Sequence, residues 1–271
     1  MKIRFFPLTS TALSATAAIA AVSAVLASIP SPVYAIALVT QRTALGGNDQ
    51  LDWSSLGKVY NPFAPDPAAF LSNSFTATSA GGLGLKVEIP SAGPNFTPPF
   101  VFQTLPRPQG VPTNFALGDF LLFTGFKLPP TLPAVGNSNP ITITFNKAVK
   151  AAGVQIAVDD TPQFKAFVSA FDETNTLLDT FQVDGTSSLL LNNSAILLGV
   201  RSETANIARL VFSSSVPDRA VAINTLSIVA PVPEPTFTFS LLAFGALGVG
   251  SALKRKIKPD KFIENLVKMR V

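Results

Sequence analysis

From Phe120 to Val229 apolar residues recur in short alternating or continuous runs, each bounded by turn residues. That pattern predicts strands over Phe120–Phe126, Ile141–Phe145, Val154–Val158, Phe164–Phe171, Leu177–Val183, Ala195–Val200, Ile207–Phe212 and Val221–Val229. No apolar stripe with a 3.6-residue period and helical length runs through this region. The stretch Phe164-Lys165-Ala166-Phe167-Val168-Ser169-Ala170-Phe171 offers apolar groups to both faces of its strand. Asp172-Glu173-Thr174-Asn175 and Asp184-Gly185 are expected to be hairpin turns. Short strands with turns between them favour an all-β sandwich over alternating strand and helix units.

Residues 36–118 lack that rhythm and are expected to be irregular. Seven prolines fall between 90 and 113, which suits loops and edge segments wrapped on the sandwich. Gly81-Gly82-Leu83-Gly84 is too incomplete for a phosphate-binding loop, having no following Lys and Ser/Thr pair and no helix pattern after it. A turn is expected there.

The two ends have a different texture. Lys2 and Arg4 precede an apolar run to about Ile29, and Pro30-Ser31-Pro32-Val33-Tyr34-Ala35 follows. This is the layout of a signal peptide, with Val33 and Ala35 at the −3 and −1 positions of a cleavage site. The alternative is an uncleaved N-terminal membrane helix. Near the other end, Thr236 to Leu253 carries no charge, and Lys254-Arg255-Lys256-Ile257-Lys258 follows at once. Eighteen apolar or small residues come slightly short of the ~20 that a spanning helix uses. The basic residues Lys254, Arg255, Lys256 and Lys258 predict a cytoplasmic side, which places the β-domain outside. A buried core helix is the competing reading. Residues 259–271 fit either a short basic amphipathic helix or a solvated tail.

Charge sharpens this picture. The chain's formal +4 divides into +2 over residues 1–35, −3 over 36–235 (11 basic, 14 acidic) and +5 over 236–271 (7 basic, 2 acidic). The body is mildly acidic, so no nucleic-acid partner is expected. The chain has neither Cys nor His, which removes thiol chemistry, disulfides and His-based acid–base work. No G-x-S-x-G element is present, so no catalytic residue is assigned and the chain is expected not to be an enzyme. Asp159-Asp160 and Asp172-Glu173 are adjacent acidic pairs that read as solvated turns. A calcium site built from Asp119, Asp159 and Asp160 is a further candidate, because β-sandwich loops can supply carboxylate and carbonyl oxygens. A carboxylate-based envelope hydrolase is a third reading. Trp53, Tyr34 and Tyr60 are the only Trp and Tyr residues, so amphipathic sugar-stacking rings are scarce, and the 22 Phe residues read as core and membrane packing.

Between the β-region and the apolar run stands Val232-Pro233-Glu234-Pro235. The two prolines disfavour helix before them, and Glu234 costs roughly 2–4 kcal/mol to place in hydrocarbon. It therefore marks the outer boundary of the span. Signal segment, exported domain, P-E-P motif, apolar span and basic cluster, in this order, resemble the PEP-CTERM proteins over residues 232–258. The chain runs 13 residues past Lys258, whereas such proteins usually end soon after the cluster. The body is also similar to exported PEP-CTERM proteins of cyanobacteria over about residues 114–231, on Gly118–Gly125, Ile141–Phe145, Ala195–Arg201, Ile207–Phe212 and Ala222–Leu226. The resemblance implies a jelly-roll or lectin-like sandwich and processing by an exosortase-type enzyme, with no activity to carry over.

The expectation is thus one exported β-sandwich over 36–231, carried out by the Sec translocon and signal peptidase. Residues 232–258 would anchor it in the inner membrane or sort it, with release to the envelope or extracellular matrix. It is non-enzymatic. A carbohydrate-binding module, calcium-dependent or not, with exopolysaccharide as partner, is the alternative.

Overall fold

A computed structural model describes residues 35–61, 63–130 and 134–231. The apolar N-terminal segment with Val33, and the whole of 232–271 with the P-E-P motif, the apolar run and the basic cluster, lie outside the described residues. Ala35 is the first residue described. Among the described residues no helix is long and apolar enough to cross a membrane.

The chain opens with β1 (Ile36–Val39), the single-turn α1 (Arg42–Leu45), β2 (Asp49–Leu51), β3 (Ser74–Thr78), β4 (Gly84–Glu88) and β5 (Phe100–Gln103). It continues with β6 (Phe120–Phe123), β7 (Ile141–Val149), β8 (Ala151–Val158), β9 (Gln163–Phe171) and β10 (Leu177–Thr186). The last strands are β11 (Ile196–Ser202), β12 (Ile207–Ser214), β13 (Val221–Ile223) and β14 (Leu226–Val229). They form two antiparallel sheets. The first runs β1-β11-β8-β13-β6-β5, with β14 pairing β8 and β2. The second runs β10-β9-β12-β7-β4-β3. This is an all-β sandwich, as the alternation predicts.

The core lies where the inner faces meet. Val154, Ile156, Val158, Val221 and Ile223 of the first sheet share one cluster with Ile141, Ile143, Phe145, Val168, Leu210 and Phe212 of the second. Their spacing of two along each strand puts them on one face. The first sheet is also covered outside. Ala157, Ala222, Phe100, Phe102, Leu121 and Phe123 belong to a second cluster with Tyr60 and Phe115 from loops. A third, smaller cluster packs Val39, Leu45, Ala151 and Leu197 beneath α1. Among the described residues, the strands and the three clusters lie between Ile36 and Val229, so this stretch holds a hydrophobic core of the kind a domain folds around.

Several expectations are corrected. Residues 36–118 are not merely irregular, since they hold β1 to β5. These strands are only three to five residues long, too short for alternation to declare itself. Asp184-Gly185 is no turn. Both residues are in β10, where Gly185 pairs with Phe164, and a Cβ on Gly185 would stand 2.5 Å from the Phe164 ring. The glycine makes room for an aromatic side chain. The run Val221–Val229 is two strands, because three residues of it face two of β8 between the Ile223–Ile156 and Ser227–Gly153 pairs. As expected, β9 offers apolar groups to both faces, with its even positions buried and Phe167 and Phe171 half-buried on the outer side.

Other expectations hold. Asp172–Asn175 turns β9 into β10, with Asp172 accepting from the backbone N–H groups of Thr174 and Thr176. Those bonds hold its carboxyl below the usual range, the Thr174 hydroxyl contributing most. Gly81–Leu83 forms the turn between β3 and β4. The proline-rich stretch leads into β5, the edge strand of the first sheet.

Candidate functional site

The outer face of the first sheet carries a cleft. Its floor is built by alternation: β5 turns Phe100 and Phe102 outward, β6 turns Phe123, and β8 and β13 place the small side chains of Ala157 and Ala222 beside them. Small residues between large rings leave a hollow that loops cannot fill. One loop is held by the Tyr60 N–H donating to the Val101 carbonyl at 2.7 Å. A second brings Phe115, whose carbonyl accepts from the Asn193 N–H at 3.3 Å.

Phe100 is the hub of the rings. Its centroid lies 4.5 Å from Tyr60, 5.1 Å from Phe123 and 5.8 Å from Phe126, and Tyr60 stacks on Phe70 at 5.2 Å. These separations fall in the favourable range for offset or edge contacts. The cleft has a volume of about 530 Å³, and a neighbouring one of about 520 Å³ shares Tyr60, Phe126, Ala134 and Asp159 with it. Both sizes suit small-molecule sites. Burial raises the Tyr60 hydroxyl above its ordinary pKa, so it stays neutral.

Polar groups are few and placed at the cleft's side. Asp159 follows the end of β8, its N–H donating to the Ala220 carbonyl at 2.9 Å. Burial pushes its carboxyl above the ordinary value, the like charge of Asp160 adds to this, and Arg219 works against it. The Arg219 guanidinium also donates to the Ala134 carbonyl. Asn114 is 1% exposed and donates from Nδ2 to the Thr186 carbonyl at 2.8 Å, while its Oδ1 has no hydrogen-bond partner. Ser187 Oγ accepts from the Val158 N–H at 2.9 Å.

The three residues considered for calcium are not brought together. Asp159 and Asp160 line the cleft. Asp119 instead accepts from Asn224 Nδ2 at 2.9 Å. Asp159 bonds Ala220 and Asp119 bonds Asn224, so four residue steps along β13, about 13 Å, separate the two places. Among the described residues no group of three acidic side chains is arranged to hold a metal ion. Both adjacent acidic pairs are turns, and Asp159-Asp160 also forms part of the cleft wall.

The ring cluster itself escaped sequence reasoning, which gave phenylalanines to core and membrane. The signal lay in Phe100-Val101-Phe102, an alternation with Val101 fully buried and rings on the opposite side. Trp53, the single tryptophan, is fully buried and donates from Nε1 to the Asn224 carbonyl at 2.8 Å. It is a core residue.

No family model matches the chain, and no curated protein matches it. Among solved structures it is similar to a DUF4465 family protein from Bacteroides caccae, at 11% identity over 72% of this chain and 99% of that one, with a TM-score of 0.29. It is similar to the enzymatically active domain of bacteriophage CBA120 tailspike protein 4, at 12% identity over 60% of this chain and 20% of that one, TM-score 0.29. A third is CsCBM6-3 from Clostridium stercorarium, solved with cellobiose, at 15% identity over 65% of this chain and 99% of that one, TM-score 0.26.

Proposed function

We propose that the chain is an exported, non-enzymatic envelope protein whose β-sandwich, residues 36–231, is a binding module. In this reading residues 1–35 direct export, the apolar run 236–253 holds the domain at the membrane, and Val232–Lys258 is a PEP-CTERM sorting signal. The observation that carries the binding role is the ring-lined cleft on the outer face of the first sheet. A mostly apolar hollow with few convergent polar groups is the ordinary form of a small-molecule site. From β7 to β13 the chain changes sheet at every step except the β9–β10 hairpin, which supports a jelly-roll arrangement.

Glycan binding is the second reading, and it is favoured by a different surface. On the outer face of the second sheet the Arg209 guanidinium lies 4.0 Å over the Phe171 ring. The Ser169 and Thr180 hydroxyls meet at 2.8 Å on the same face. A half-exposed ring among hydroxyl and guanidinium donors suits a sugar. Titrating the 36–231 fragment with an oligosaccharide panel and with an apolar fluorophore tests both. Saturable binding of either supports the module, and binding of neither removes it.

A further inference from the structure

Resting on the binding-module reading, we propose that the cleft takes a single-chain amphiphile, with a hydrocarbon body and a head that donates hydrogen bonds, a hydroxyl or an ammonium. Two features of the cleft point to the body. The wall is rings and alanines, against which sugar hydroxyls would lose their hydrogen bonds. The apolar lining also continues outward onto the surface. Leu189 lines the cleft and is 63% exposed, its neighbour Leu190 is 64% exposed, and Leu128 lines the adjoining hollow at 48%. Val59 and Phe63, also exposed, flank Tyr60 on its loop. Of the exposed large apolar side chains among the described residues, only Leu177, in the β9–β10 hairpin, is remote in sequence from a lining residue. Exposed apolar side chains in the lining of a hollow, here Leu189 and, next door, Leu128, mark an interaction site. They would cover the part of a chain that emerges.

Two other features point to the head. The wall offers acceptors, one of them buried. Asn114 Oδ1 is buried without a partner, and a buried lone acceptor gains most from a ligand donor. Asp159, half-buried, and Asp160, exposed, line the cleft, and the nearby Arg219 is already bonded to the Ala134 carbonyl. Arg107 also lines the cleft, from an exposed position. Asp159 and Asp160 outnumber Arg107 among the charged side chains that line the cleft, which favours a neutral or cationic head over an anionic one.

The test uses the 36–231 fragment with 1-aminoanthracene as fluorescent probe, displaced by octanol, decanol, decylamine or decanoate. Each buried methylene adds roughly fourfold in affinity, so decanol should displace at about one-sixteenth the concentration of octanol. Decanoate should be at least about tenfold weaker than decanol or decylamine. Ala222→Leu, which fills the floor, should abolish probe binding. Asp159→Asn, which keeps the cleft's shape, should weaken decylamine while leaving decanol unchanged. Decanoate competing as well as decanol, no dependence on chain length, or full binding by Ala222→Leu would overturn the proposal and leave the binding module standing. So would binding to dioleoylphosphatidylcholine vesicles without displacement of the probe, which would make the apolar rim a bilayer contact. Failure of probe, chains and oligosaccharides alike would remove the binding module and this proposal with it.

Discussion

The side-chain Oδ1 of Asn224 accepts a hydrogen bond from the backbone N–H of Gln155 at 2.9 Å. It stands in for a strand carbonyl at the point where β13 gives way to β14. The same oxygen accepts from Arg42 Nη2 at 3.1 Å, and Nδ2 donates to Gln155 Oε1 at 2.6 Å and to Asp119. Arg42 further donates to Thr225 and Ser227, and burial draws its guanidinium below the ordinary pKa while the Asp119 charge opposes that. One buried amide therefore closes the bulge from both sides.

Replacing it should be costly. Asn224→Ala leaves the half-buried Gln155 N–H and part of the half-buried Arg42 guanidinium without their partner, and each such group costs about 1–3 kcal/mol where water cannot replace it. We expect the 36–231 fragment to lose about 3 kcal/mol in urea unfolding. A loss below about 1 kcal/mol would mean that the bulge does not depend on this side chain.

A second constraint is the Gly153–Gly199 cross-strand pair of β8 and β11. A Cβ on Gly153 would lie 2.6 Å from the Gly199 Cα and 3.1 Å from the Leu198 carbonyl oxygen. One on Gly199 would meet the Leu45 side chain at 3.1 Å, so the pair lets α1 settle onto the first sheet. Gly153→Ala should lower stability by about 2 kcal/mol, in the range of overpacking. Unchanged thermal unfolding of this variant would show that the strands can part without penalty.

How much of this was legible beforehand follows from strand length and from what covers each face. The long strands declared themselves. β7 buries Ile141, Ile143 and Phe145 on one side only, so its sequence alternates. β8 did so less clearly, because Ala151 and Ala157 are buried on its outer side too. Periodicity cannot say that a sheet is covered on both faces, and the cleft lies on just such a face. Asp159-Asp160 is the turn its sequence announces, with Asp160 exposed, but a dipeptide does not reveal that Phe126 and Ala134 from a distant loop line the same cleft. Asp119 failed as its partner because β13 stands between them, a matter of topology.

The raised pKa of Asp159 has a consequence for stability. Its folded value lies above the unfolded one, chiefly through burial. Below the unfolded value both states are protonated and nothing is lost. As pH rises through the folded value, the native state must bear a charge that burial disfavours, and stability falls. Asp159→Asn should therefore raise the Tm of the 36–231 fragment at pH 7 and leave it unchanged near pH 3. A lower Tm at pH 7 would show that attraction to Arg219 outweighs burial.

The sorting proposal makes a separate prediction about the C-terminus. In that proposal the prolines at 233 and 235 disfavour helix before them and Glu234 resists entry into hydrocarbon, so a membrane enzyme would meet a carboxylate just outside the apolar run. In a host with an exosortase-type enzyme, mass spectrometry of surface material should find a C-terminus near Pro235. Pro233→Ala with Glu234→Ala should yield chains that still end at Val271. If unaltered surface protein also ends at Val271, the run 236–253 acts as a plain anchor and the motif is not read.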